Sequence, residues 1–208
     1  MARMKYRQVS VFSILLTLSA LFGGLILAGM HPAMDPVMGF GDETRPGATV
    51  ILVRHAETAQ STKTTRDPEL SEAGKERAES LARLLSGAGV GRLFSSEFQR
   101  TQATLAPLAE RRGLEVETIP AGEPEKLVSI LRGLPAGMVA VIAGHSNTVP
   151  GLVHRLGGRV EDLVEDERYG PMLRSSEYDR LFVVQLPLVQ GATEGGGVAT
   201  LELRYGCD

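Results

Sequence analysis

The chain has 208 residues, 43% of them hydrophobic and 23% charged, with a formal net charge of -3. One domain with an appendage accounts for that length, and the apolar content excludes a chain that is disordered throughout. The absence of a basic excess argues against a nucleic-acid partner, and a single cysteine, Cys207, excludes an intrachain disulfide or a cysteine zinc site.

In chain order, residues 1–8 carry Arg3, Lys5 and Arg7 without an acid, and Val9 to Met30 then runs without any charge. That run is long enough to cross a bilayer as a helix, with its basic flank on the cytoplasmic side. Residues 1–30 are expected to be either a membrane anchor or a cleaved signal peptide, which places the remainder outside the cytoplasm, in the periplasm or at the cell surface. Residues 31–47, with Pro32, Pro36, Pro46, Gly39, Gly41 and Gly47, read as a linker. A domain over 48–208 follows. Residues 1–47 hold four Lys/Arg and three Asp/Glu, which leaves 18 basic and 22 acidic residues and a charge of -4 for that domain. An anionic ligand there needs a local positive site rather than the overall field.

Within the domain, Thr49 to Val53 is a β-branched apolar run, a strand buried on both faces. A helix is expected from Leu70-Ser71 to about Ser86, with Ala78, Leu81, Ala82 and Leu85 on one face. A short strand, Val90 to Phe94, precedes a second helix opened by Ser96 and Gln99 as a capping box. A strand over Val116–Ile119, a short helix over Glu123–Leu131, an apolar strand over Met138–Ala143 and a helix over Asn147–Leu156 follow. Leu181–Leu186 and Val198–Leu203 read as closing strands. This alternation predicts an α/β fold, a three-layer sandwich with a mostly parallel central sheet flanked by helices.

Ligands of such sheets bind beyond the carboxyl ends of the strands. One strand here runs into Arg54-His55, another into Gly144-His145, and a third, through Ser95-Ser96, into a helix whose first turn holds Arg100. Two arginines and two histidines are thereby delivered to one rim. Arginine forks bind phosphate oxygens, a helix N-terminus adds free N–H donors, and an imidazole can attack phosphorus and carry the phosphoryl group. His154, inside a predicted helix with no strand before it, reads as structural. The candidate site is rich in cations and lacks a convincing carboxylate cluster, so neither metal nor other cofactor is expected.

Leu52-Val53-Arg54-His55-Ala56-Glu57-Thr58, Ser95-Ser96-Glu97-Phe98-Gln99-Arg100-Thr101 and Gly144-His145-Ser146-Asn147 resemble, in order, the motifs of the histidine phosphatase (phosphoglycerate mutase-like) superfamily. Leu70-Ser71-Glu72-Ala73-Gly74 is similar to the segment that follows its nucleophile loop. The resemblance spans about Thr49 to Gly158. It implies a phosphoglycerate mutase-like fold, with His55 as nucleophile, Arg54 and Arg100 as phosphate ligands and His145 completing the pocket. The first motif has Ala56 where the family most often has glycine, and the segment between the second and third motifs, Leu114 to Gly137, lacks the mutases' long insertion. Glu123, after a predicted strand and a Pro-Ala-Gly turn, is the candidate general acid. The activity implied is metal-free phosphomonoester hydrolysis through a phosphohistidine, on an extracytoplasmic phosphorylated small molecule or envelope sugar. A mutase-type phosphotransferase and an inactive phosphate-ligand binding protein are the alternatives. The implied partners are a phosphorylated small molecule and, through an uncleaved N-terminal segment, the membrane.

Overall fold

The computed structural model describes residues 47–60, 67–187 and 198–206. The expected anchor or signal segment and all of the expected linker before Gly47 lie outside them. Among the described residues no helix is long and apolar enough to cross a membrane.

The elements are β1 (Thr49–Arg54), α1 (Glu72–Leu84), β2 (Val90–Ser95), α2 (Gln99–Arg112), β3 (Val116–Thr118), α3 (Pro124–Arg132), β4 (Val139–Gly144), α4 (Thr148–Arg155), β5 (Val164–Asp166), β6 (Gly170–Met172), β7 (Arg180–Gln185) and β8 (Thr200–Arg204). Six strands form one sheet in the order β3-β2-β4-β1-β7-β8. The pairs β1–β4, β2–β4 and β2–β3 are parallel, and β7 and β8 add antiparallel strands at one side. The expected sandwich with a mostly parallel sheet is the observed fold.

The alternation of side chains along β1 divides the core. Val50 and Leu52 pack with Leu127, Leu131, Val149 and Val153 of α3 and α4 on one face. Ile51 and Val53 pack with Leu81 and Ala82 of α1 and Leu105 and Leu108 of α2 on the other. A strand covered on both faces has no polar side to present, which is why β1 and β4 are continuous apolar runs. The parallel register pairs Arg54 with Gly144, so the strands end at the same edge of the sheet.

The structure departs from the sequence reading at one helix start and one hairpin. Helix α1 begins as expected, with Ser71 as its N-cap accepting from the Gly74 N–H at 3.1 Å. Helix α2 does not begin with a capping box. Its N-cap is Phe98, without a side-chain cap bond, because the Ser96 hydroxyl is engaged with His145 and Thr101. The carboxylate of Asp67 caps the helix from outside, accepting from the Gln99 N–H at 2.8 Å. The β5–β6 hairpin is the element that apolar periodicity misses, since each strand is three residues long and half-exposed.

Candidate active site

The rim is built from the carboxyl ends of β1, β2 and β4. The His55 N–H donates to the Gly144 carbonyl at 2.8 Å, so the parallel ladder continues one step past β1 and fixes His55 beside the β4 terminus. The two imidazoles meet edge to face, with ring centroids 5.4 Å apart. Both histidines and Arg54 are buried, and Arg100 is half-buried.

Each of the four side chains is held by specific partners. His55 Nδ1 lies 2.8 Å from the Ala56 carbonyl. A carbonyl can only accept, so Nδ1 carries the proton and Nε2 keeps a free lone pair. The Arg54 Nη1 group donates to the carbonyls of Arg174, Ser175 and Glu177 at 2.9, 3.0 and 3.1 Å, and the guanidinium stacks 3.9 Å from the Tyr178 ring centroid. The loop before β7 therefore aims an arginine that belongs to β1. Arg100 donates to Asp67 at 3.0 Å and lies over the Phe98 ring at 4.3 Å.

His145 sits in a chain of hydrogen bonds. Its Nε2 is 2.9 Å from Ser96 Oγ, which is 2.8 Å from Thr101 Oγ1, which in turn donates to the Phe98 carbonyl at 2.7 Å. On the other side, Arg100 Nη2 approaches Nδ1 at 3.4 Å and can only donate. One assignment satisfies all of them: Nδ1 accepts, Nε2–H donates to Ser96, and Ser96 donates to Thr101.

Burial pushes the pKa of His55 down to about 4, with Arg54, His145 and Arg100 adding to the effect and the Ala56 carbonyl opposing it. Burial likewise takes His145 to about 4, reinforced by Arg100 and Arg54 and opposed by Asp67. Both rings are neutral at pH 7. Burial is also the largest influence on Arg54 and lowers its pKa, but a guanidinium remains charged.

The loop after His55 is clamped to α1. Glu57 takes a fork from Arg77 (2.7–2.9 Å), and the Arg77 Nη1 group reaches the Tyr205 carbonyl at 2.8 Å. Burial pushes the Glu57 carboxyl up, but the hydrogen bonds and charge of Arg77 outweigh it and hold the group below its ordinary value. The Ser71 N–H donates to the Glu57 carbonyl at 2.9 Å, and the Ala56 N–H donates to the buried Thr104 hydroxyl at 2.9 Å. Helices α1 and α2 thus hold the His55 loop from two sides.

His55, Arg100 and His145 line one cleft of about 450 Å³, together with Phe98, Ala121, Gly122, Ser146, Asn147, Thr148, Tyr169 and Met172. Glu123 is not brought into it. It stands at the N-cap of α3, exposed, paired with Lys126 at 3.0 Å, and lines a smaller neighbouring cavity. The Pro-Ala-Gly turn puts Ala121 and Gly122 at the rim and carries the next residue past it. His154 is exposed in the last turn of α4, away from the cleft. Asp67, Thr104, Tyr178 and the Ser96–Thr101 pair are the residues the sequence reading misses. Ser96 and Thr101 lie inside a recognisable motif, whereas Asp67 and Tyr178 carry no chemical signature of their own.

The family model of the histidine phosphatase superfamily (branch 1) matches residues 50–121, which hold His55 and Arg100 in the geometry just described. Over those residues the chain is similar to the histidine phosphatase superfamily. A curated relative, phosphoserine phosphatase 1 of Hydrogenobacter thermophilus, is 35% identical over 94 residues, which is 43% of this chain and 42% of that protein. The match therefore spans less than half of the relative's length. Solved structures share the fold of the chain. A SixA protein from Agrobacterium tumefaciens aligns with a TM-score of 0.53 and 21% identity, over 77% of this chain and 98% of that one. The protein histidine phosphatase SixA complexed with tungstate aligns with a TM-score of 0.55 and 22% identity, over 75% and 96% of the two chains.

Proposed function

We propose that the chain is a metal-free phosphomonoester hydrolase acting through a phosphohistidine on His55. The observation that carries this reading is the state of the His55 ring. Its Nδ1–H is committed to the Ala56 carbonyl and burial keeps the ring neutral at pH 7, so Nε2 is an available nucleophile among the cationic side chains of the rim. In the first step Nε2 attacks phosphorus, the P–O ester bond breaks, and the leaving oxygen takes a proton from water at the open cleft. In the second step a water oxygen attacks phosphorus, the N–P bond breaks with its electron pair returning to Nε2, and the water's proton is released with inorganic phosphate. Arg54 and Arg100 stabilise the charge on the phosphoryl oxygens, and His145, its Nε2–H committed to Ser96, accepts from Arg100 through Nδ1 and holds that guanidinium at the rim. With Glu123 outside the cleft, solvent is the leaving-group proton source in this scheme.

The match of residues 50–121 to the superfamily model and likeness to proteins named as phosphatases support the activity. The basic flank and uncharged run of residues 1–30 support a site outside the cytoplasm, on a membrane-anchored or secreted protein. The proposed substrate is accordingly a phosphorylated small molecule or envelope sugar met there.

The test is to quench the protein with labelled substrate and locate the label. Acid-labile, base-stable label on the peptide containing His55 is expected, and loss of activity to background in His55→Ala. Arg100→Ala and His145→Ala keep the nucleophile but lose transition-state stabilisation of about 3–4 kcal/mol, so turnover falls a hundred- to thousand-fold. Acid-stable label, or label that survives His55→Ala, would overturn the mechanism.

A further inference from the structure

The cleft is larger than a phosphoryl group requires, and its outer part has a distinct chemistry. Phe98, Tyr169 and Met172 line it together, and the turn at Ala121 and Gly122 adds small, uncharged surface. Two of the three large residues come from the β5–β6 hairpin, which the mechanism does not use.

That hairpin is built to hold its position. The Asp166 carboxylate accepts from the Arg168 and Tyr169 N–H groups at 2.9 and 3.0 Å and closes the turn. Gly170 takes the left-handed conformation, φ 69°, that lets β6 return against β5. Leu173, just after β6, is buried and donates its N–H to the Ser146 carbonyl at 2.9 Å, which ties the hairpin to the residue following His145. Tyr169 remains 52% exposed, a large aromatic surface left open at the mouth of the cleft. Phe98 is fixed from the other side, edge-on to His145 at 5.1 Å and beneath Arg100. An ester whose phosphoryl group meets His55 must lay its leaving group along this wall.

We infer that the hairpin residues Tyr169 and Met172, with Phe98, form a leaving-group subsite for a phosphomonoester whose organic part presents a flat, apolar face such as an aromatic ring. This rests on the phosphatase reading and narrows its substrate class. Aromatic side chains and a thioether favour such a face through burial and ring stacking. A compact leaving group without such a face gains little from these three side chains, although Arg168, whose guanidinium lies 5.2 Å from the Tyr169 ring centroid, sets a cation beside them.

Aryl esters also react faster, so turnover alone is a poor probe, and two non-hydrolysable phosphonates separate binding from chemistry. Benzylphosphonate and methylphosphonate share the anion and differ in the ring. Their affinities for the full chain are measured by calorimetry, and hydrolysis of 4-nitrophenyl phosphate, O-phosphoserine and glycerol 3-phosphate is followed in parallel. Benzylphosphonate is expected to bind at least tenfold tighter. Tyr169→Ala and Met172→Ala should each cut that ratio several-fold, with folding checked by circular dichroism. Equal affinities, or a ratio that both variants leave intact, overturn the subsite while hydrolysis of any ester upholds the phosphatase reading. Preferential binding of benzylphosphonate with no ester hydrolysed overturns the phosphatase reading and keeps the apolar subsite. Failure of both phosphonates to bind overturns the subsite whatever is hydrolysed.

Discussion

Acidification from pH 7 to pH 5 should destabilise this fold through the two site histidines. Each has a pKa of about 4 in the folded protein against an ordinary value of 6.5. The unfolded chain therefore binds protons that the folded site refuses, and stability present above pH 6.5 is lost as the pH falls from 6.5 towards 4. At pH 5 an unfolded histidine is almost fully protonated and the buried one almost fully neutral, a difference of about 2 kcal/mol for each ring. Both residues are buried, so solvent screening takes little from this figure. Together they account for about 4 kcal/mol, a large share of a typical domain's stability. Urea unfolding at pH 7, 6 and 5 reads this directly. The midpoint should fall by about 2 M across the interval for a slope of about 2 kcal/mol per M. His55→Asn and His145→Gln each remove one titrating ring, so each should lose about half as much stability over the same interval, whatever its absolute stability at pH 7. Carboxylates stay largely ionised above pH 5 and contribute little there. Equal losses in the parent and both variants would refute the assignment of neutral, buried histidines.

Two further outcomes follow from the loop that carries His55. A Cβ on Gly74 would lie 2.0 Å from the Glu57 carbonyl oxygen, so Gly74→Ala must displace that loop, at a cost of about 1–3 kcal/mol and about a hundredfold in turnover, while Gly87→Ala, with nothing within 4 Å, should do neither. Thermal unfolding and steady-state kinetics of the two variants check this pair. Hydrolysis should also be unaffected by EDTA, because arginines and imidazoles supply the charge that a metal would otherwise bring. Loss of activity in EDTA that a divalent ion restores would contradict this.

What was legible in the sequence was whatever depends on local pattern. The apolar runs of β1 and β4 announce strands buried on both faces, and each is followed by its histidine without interruption. Leu70-Ser71 reads as a helix start, and the structure supplies the reason: Ser71 caps α1 while Gly74 lets the helix approach Glu57. What was not legible depends on which distant residue is nearby. Ser96 followed by Gln99 has the spacing of a capping box, but His145, 49 residues later, competes for the same hydroxyl and wins. A buried imidazole N–H needs a partner, whereas the exposed start of a helix can use another carboxylate, here Asp67. Glu123 is a second case: the Pro-Ala-Gly turn before it is legible, but the direction of a side chain one residue past a turn is not encoded in spacing.

The pairing of β1 with β4 explains why so much of the site rests on so few choices. Its parallel register sets Arg54 against Gly144, and the next ladder bond, from the His55 N–H to the Gly144 carbonyl, places the first histidine at the residue before the second. Gly144 cannot be larger, since a Cβ there would sit 2.9 Å from Thr148 Oγ1, the atom that accepts from the His145 N–H. A one-residue slip of either strand would exchange the two faces of the sheet and set each core side chain against the wrong helix layer. The hydrophobic alternation that holds Val50 and Leu52 against α3 and α4, and Ile51 and Val53 against α1 and α2, is therefore also what holds the two imidazoles 5.4 Å apart. Core packing and site geometry are specified by the same six-residue strand.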